Sequence, residues 1–242
     1  KLLEGILEVC FSKLHRENAD IAICALTSEE DEIPRGSIHN RLGYLIENQR
    51  SKLPHYYRAN TLSDKNNVLV VEKTIGEQKN KKVILVASQT VRLKDGKRHL
   101  VFGSDDVPNY LSFEDTLKYC KDRGLVSIAA YAFCRGSRKI NREILEKSLQ
   151  SMDAIEISAQ PAMWLANIKA IKFNLQFPLP SQKPSVADSD AHTFRGAFAS
   201  YNCLYTDSDV DLSSENSFIG QQKQFIQTHQ FLPVFRMQPL FD

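Results

Sequence analysis

Val186-Ala187-Asp188-Ser189-Asp190-Ala191-His192-Thr193 is the stretch on which the reading of this chain turns. An apolar run, Pro184-Ser185-Val186-Ala187, leads into a small polar cluster that ends in Asp-Ala-His. On an extended backbone, side chains at i and i+2 point to the same face. The Asp190 carboxylate and the His192 imidazole then converge and can share one cation, and Ala191 between them adds little bulk. In the plainer reading, Asp190 stabilises a turn and His192 is an exposed loop residue. The surrounding elements decide between the two.

Working back from this stretch, Leu179 to Pro184 reads as a loop, Ala162 to Asn174 as a helix and Asp153 to Ile157 as a strand. Before them come a helix over Asn141 to Gln150, a buried strand over Leu125 to Ala130 and a helix from Ser112 to Arg123. Ser112 is placed to cap that last helix, with Asp115 three residues on, and Gly124 suits its end. Working forward, Tyr201 to Tyr205 reads as a strand, Phe218 to Phe231 as a closing helix and Leu232 to Asp242 as an irregular tail. Alternation of this kind predicts a parallel sheet wrapped by helices. Function in such folds sits at the carboxyl ends of the strands.

The amino-terminal half opens with Leu2, Leu3, Ile6, Leu7, Val9, Cys10 and Leu14 at helical spacing. A short buried strand, Ala19 to Leu26, then ends in Thr27-Ser28-Glu29-Glu30-Asp31. Ser37 to Arg50 suggests a helix. Pro54-His55-Tyr56-Tyr57-Arg58 reads as a packed surface loop, with a phosphate or partner contact as the other reading. Val68 to Glu72 and Val83 to Ala87 are strands joined by a solvated turn. Thr90 to Leu93 and His99 to Gly103 form a hairpin about Asp95-Gly96. The architecture expected is one α/β domain over residues 1–242, a distorted β/α barrel, with an open doubly wound sheet as the alternative.

Composition is that of an ordinary globular domain, with 42% hydrophobic and 25% charged residues. The 31 basic and 29 acidic residues nearly cancel, leaving +2 and no global pull toward nucleic acid or membrane. No apolar run approaches the ~20 residues of a membrane span, so no membrane partner is expected. The five scattered cysteines, without a Cys-x-x-Cys pair, read as reduced thiols in a cytoplasmic protein. The chain opens with Lys1-Leu2-Leu3 and no initiator Met, which fits a fragment or missing upstream residues.

Ser189-Asp190-Ala191-His192 resembles, letter for letter, the last motif of the PHP (polymerase and histidinol phosphatase) family. Gly196 fits the glycine that follows it. Gly124 to Phe133 looks like the family's strand ending in Ala-His-Pro, and Asp153-Ala154-Ile155-Glu156-Ile157 like its Asp-x-Ile-Glu-Val strand. The resemblance covers most of the chain and is strongest from Ser112 to Asn202. It implies a distorted barrel of the seven-stranded type, here lacking its first strand. It also implies hydrolysis of phosphate esters by two or three divalent metals, zinc, manganese or iron. Metal ions neutralise phosphate charge, ionise water near neutral pH and clamp the attacking and leaving oxygens.

The family's ligands survive here in part. Its opening His-x-His is absent. Its Thr-Asp-His stands as Thr27-Ser28-Glu29, with Glu29 where a His ligand belongs. Its Gly-Val-Glu strand aligns either at Ser88-Gln89-Thr90, losing the glutamate, or at Val71-Glu72-Lys73, keeping it as Glu72. The His of the next strand matches His99, and Tyr131 replaces the His of Ala-His-Pro. The resemblance thus implies Asp190 and His192 as catalytic ligands, joined at the metal by His99 and Glu29. Arg135 and Arg138, after the Tyr131 strand, are candidates to grip phosphate. Such a set holds one metal rather than three, or has lost it.

Other residues read as structural: His15, His39 and His229 as surface or packing histidines, Asp105 and Asp106 as loop residues, Trp164 as core. Cys134, beside Arg135, has no evident His partner. Three functions remain in view. One is a PHP-like phosphoesterase acting on a phosphate ester or nucleic acid end, with weak or no activity. Another is an inactive PHP-like binding or scaffolding module attached to a nucleic-acid enzyme or ATPase. The third is an unrelated α/β-barrel hydrolase with one metal.

Overall fold

The computed structural model describes residues 2–29, 42–62, 65–76, 79–130, 132–133, 140, 142–158, 164–188, 200–204, 208–228 and 230–235. Helix α1 (Leu2–Arg16) buries Leu3, Leu7, Cys10, Phe11 and Leu14, the stripe its spacing predicts. It packs with α2 (Leu42–Gln49) against β1 (Ile21–Glu29), β3 (Val68–Lys73) and β4 (Lys82–Arg92). The segment expected as a surface loop instead enters strand β2 (Tyr57–Thr61), and Tyr57 stacks on Phe11 at 5.6 Å. An aromatic ring that can be buried against a helix overrides the turn signal of the neighbouring proline.

β1 pairs with β4 in parallel along nine residues, from Ile21 opposite Lys82 to Glu29 opposite Thr90. The other edge of β4 is shared. β3 takes Lys82 to Val86, and β5 (Arg98–Phe102) takes Ser88 to Arg92, both antiparallel. Ala87 is the fork, its N–H donating to Asn67 O at 2.7 Å and its carbonyl accepting from Gly103 N at 2.9 Å. Gly103 has φ +106°, and a Cβ there would meet Ile219 at 3.1 Å and Leu125 at 3.3 Å, so the branch needs glycine. The hairpin about Asp95-Gly96 forms as expected, but its first strand is continuous with Val83–Ala87 rather than separate.

From β5 the sheet continues through β6 (Val126–Ala129), β7 (Ala154–Ser158) and β8 (Ser185–Asp188). β6, β7 and β8 run parallel, joined by the predicted helices α4 (Arg142–Ser148) and α5 (Trp164–Asn174). Helix α3 (Phe113–Asp122) precedes β6, and Ser112 Oγ accepts from Asp115 N at 3.0 Å as its cap. The fold is therefore α/β. Among the described residues the eight-stranded sheet is open, because β1 and β8 do not pair, and the expected closed barrel is not seen there. Ala25 and Thr27 on β1 are accordingly exposed.

Two more strands, β9 (Ser200–Leu204) and β10 (Phe231–Phe235), form a separate antiparallel pair. β10 falls in the tail expected to be irregular, where the Pro233 ring masked the strand signal. Between them, α6 (Glu215–Gln227) lays Phe218, Ile219 and Ile226 on the sheet face that carries Ile84, Val86, Ile128, Ala154 and Val186. The opposite face is covered by the other helices. Trp164, expected in the core, is 55% exposed at the start of α5.

Candidate metal centre

β1, β4, β6, β7 and β8 all point their carboxyl ends the same way. Along the α6 face β1, β4 and β7 begin apolar and turn polar, because alternation carries one face through every second residue. On β4, Ile84 and Val86 lead to Ser88, Thr90 and Arg92, and on β1, Ile21 and Ile23 lead to Thr27. Thr27 Oγ1 and Ser88 Oγ lie 2.6 Å apart across the parallel pair. β7 adds Glu156, 6% exposed, and β5 adds Arg98, 3% exposed and directly opposite Arg92. Neither Arg98 nor Glu156 lacks an interaction partner, as burial of a charge requires.

Glu29 is the last residue of β1, in register with Thr90. β8 ends at Asp188, so Asp190 and His192 lie just beyond it, outside the described residues. Tyr131, Arg135 and Arg138 are also outside them. The edge of β8 that leads to this stretch is held by Asn202. Its side-chain amide accepts from Ala187 N at 2.8 Å and donates to Ala187 O at 3.0 Å, doing the work of one more strand residue. Nothing in the local sequence marked Asn202 for that task.

His99 sits elsewhere. On β5, Leu100 and Phe102 belong to the α6 face, so His99 belongs to the other. Its ring is fully buried, edge-on to Phe113 at 5.2 Å, with Nε2 2.9 Å from Ser127 Oγ. Burial pushes its pKa down to about 3. With the ring neutral, Nε2 and Ser127 Oγ share one hydrogen bond whose donor depends on the tautomer, and Nδ1 has no hydrogen-bond partner among the described residues. The resemblance groups His99 with the strand-end ligands, whereas the hairpin register puts it on the face away from α6, one residue out of phase with Arg98 and Leu100.

The two alignments of the family's glutamate resolve in the same way. Glu72 lies at the amino end of β4, 3.3 Å from Lys82 Nζ, at the far end of the sheet from Glu29. Gln89 faces away from α6 and bonds Val107 twice, through Nε2 to its carbonyl at 2.9 Å and Oε1 to its N–H at 2.8 Å. Asp105 and Asp106 lie in a loop where Ser104 Oγ accepts from Asp106 N at 3.1 Å.

Among the described residues no three His, Cys, Asp or Glu side chains gather to hold a metal. Besides the single carboxylate of Glu156, the described strand ends offer hydroxyls and guanidinium groups, which suit zinc or manganese poorly. Polar burial at the opposite end of the sheet is structural. There Asp153 accepts from Ser127 N at 2.9 Å and Gln227 Nε2 at 2.8 Å and lies 3.2 Å from Lys223 Nζ, tying α6 to β6 and β7.

With this geometry in hand, the chain is similar to the crystal structure of PsfC from Pseudomonas syringae PB-5123. The TM-score is 0.58 and the identity 15%, over 95% of this chain and 82% of that one. A lesion-specific endonuclease, PfuEndoQ from Pyrococcus furiosus, is similar at TM-score 0.48 and 14% identity, over 88% of this chain and 50% of that one. No family model and no curated protein matches. At these identities the likeness to PsfC speaks to the fold alone. Among the described residues no helix is long and apolar enough to cross a membrane.

Proposed function

We propose that this chain is a PHP-like phosphoesterase domain, a distorted barrel by descent, with a degenerate metal site and little or no hydrolytic activity. The observation that carries the reading is the position of β8, in the parallel run with β6 and β7, ending where Ser189-Asp190-Ala191-His192 begins. Asp190 and His192, with Glu29 from the end of β1, would hold one zinc, manganese or iron ion. Such an ion supplies Lewis acidity toward a phosphate oxygen. Arg135 and Arg138 would contact a phosphate-containing substrate or nucleic acid end. His99 is left out of the set because its ring is sealed against Phe113 and Ser127.

A second reading is a module without catalysis, attached to a nucleic-acid enzyme or ATPase. Thr27, Ser88 and Thr90 support it, since hydroxyls line the strand ends where a multi-metal enzyme needs carboxylates and imidazoles. The two readings part on one assay: hydrolysis of a generic aryl phosphate and of a short single-stranded oligonucleotide, with and without manganese or zinc. Weak metal-dependent turnover supports the first reading, and none supports the second. Robust turnover that vanishes in both Asp190→Ala and His192→Ala would show a complete site.

A further inference from the structure

Helix α1 and strand β1 meet with a thiol on each side. Cys10 lies in the buried stripe of α1 with Leu7 and Leu14, 1% exposed. Cys24 belongs to the same core cluster, on the α1 side of β1 with Ala22 and Leu26. The two side chains are hydrogen-bonded to each other. In the sequence they stand among five scattered cysteines with no pairing motif, and only the packing of helix on strand brings them together.

The two thiols are not equivalent. Cys24 is half-buried, on a strand whose outer edge no described strand covers. A hydrogen bond from the Cys10 thiol favours the thiolate at Cys24 and lowers its pKa, against the burial that raises it. The same bond, with burial second, pushes the Cys10 pKa up and keeps that thiol protonated. Cys120, the third described cysteine, lies in another cluster, and burial pushes its pKa up to about 12. Disulfide geometry is exacting, and the hydrogen bond has the Cys10 and Cys24 side chains already aimed at each other.

We propose that Cys10 and Cys24 form a reversible redox pair, closed to a disulfide by hydrogen peroxide. The Cys24 thiolate attacks peroxide. An S–O bond forms, the O–O bond breaks, and the departing hydroxide takes a proton and leaves as water. The Cys10 sulfur then attacks the Cys24 sulfur. The S–S bond forms, the S–O bond breaks, and the leaving hydroxide carries off the Cys10 proton as a second water. Two thiols are oxidised by two electrons and one peroxide is reduced to two waters. The product ties α1 to β1, and a dithiol reductant reopens it. Cys24 faces α1 whereas Thr27 faces the α6 side, so the pair is independent of the strand-end site.

The folded chain is treated with hydrogen peroxide, its remaining thiols are blocked, and its peptides are mapped by mass spectrometry. Peptides joined through Cys10 and Cys24 appear, are lost on treatment with dithiothreitol, and are absent from Cys10→Ser and Cys24→Ser. In Cys10→Ser, peroxide adds oxygen to Cys24 at least about tenfold faster than to Cys120. In Cys24→Ser, Cys10 remains a thiol. Thermal melts confirm that each variant is folded. The proposal is overturned if the native chain yields no joined peptides, or yields them only in urea. It is also overturned if peroxide oxidises Cys10 in Cys24→Ser and spares Cys24 in Cys10→Ser, or if Cys120 reacts as fast as Cys24.

Discussion

Between Val83 and Ala87, β4 carries only aliphatic side chains, and between Ser88 and Arg92, on the same strand, four of the residues are polar. Burial is the same in both halves, with Leu85 fully buried and Ser88 and Gln89 at 1%. The halves are held by different physics. The amino half packs α1 on one face and α6 on the other, where any aliphatic shape of the right volume serves. The carboxyl half depends on named partners, Ser88 on Thr27 and Gln89 on Val107, because a buried polar group without a hydrogen bond is costly. One end of the sheet is thus specified by volume and the other by chemistry.

The largest effect tests that division. Leu85→Ala should cost about 2–5 kcal/mol in urea denaturation, as a cavity in a closed core. Gln89→Leu keeps most of the volume but strands both polar groups of Val107, and should cost about 1–3 kcal/mol. If Gln89→Leu is neutral, the carboxyl half is held by packing too and the contrast fails.

Next comes pH. An unfolded chain protonates the His99 ring near pH 6.5, while the folded chain holds it neutral down to about 3. The unfolded state therefore binds more protons inside that window. His99 leaves stability intact above pH 6.5 and removes about 1.4 kcal/mol per pH unit as the pH falls below it. Between pH 7 and pH 5 the native chain should lose about 2 kcal/mol more than His99→Gln. Equal losses would place a charge-stabilising partner at the ring.

The smallest effect is the Thr27–Ser88 contact. A double-mutant cycle of Thr27→Val and Ser88→Ala should return a coupling of about 0.5–1.5 kcal/mol. A coupling near zero would mean that water serves both hydroxyls equally well.

Much of this was legible in the sequence. Helical spacing placed α1, the Ser112 cap placed α3, and Asp95-Gly96 placed the hairpin, because each signal is local. What escaped was relational. The parity of His99 against Leu100 depends on register with Val91 across the hairpin, which a motif match does not fix. The Ala87 fork needs two strands to meet at one residue. Trp164 reads as core from its Ala and Leu neighbours in a helix, while its exposure follows from which side of α5 meets β7. Asn202 holds Ala187 from a strand outside the main sheet. The motif at Asp190 and His192 remains the strongest single signal for function.

The proposal that most needs testing is that Asp190 and His192 provide one weak metal position. The direct measurement is isothermal titration of the metal-free chain with zinc and with manganese, read as stoichiometry. The account predicts at most one weakly bound ion per chain, lost in both Asp190→Ala and His192→Ala and unaffected by His99→Gln. Two or more tightly held ions per chain, or binding that survives Asp190→Ala, would contradict it.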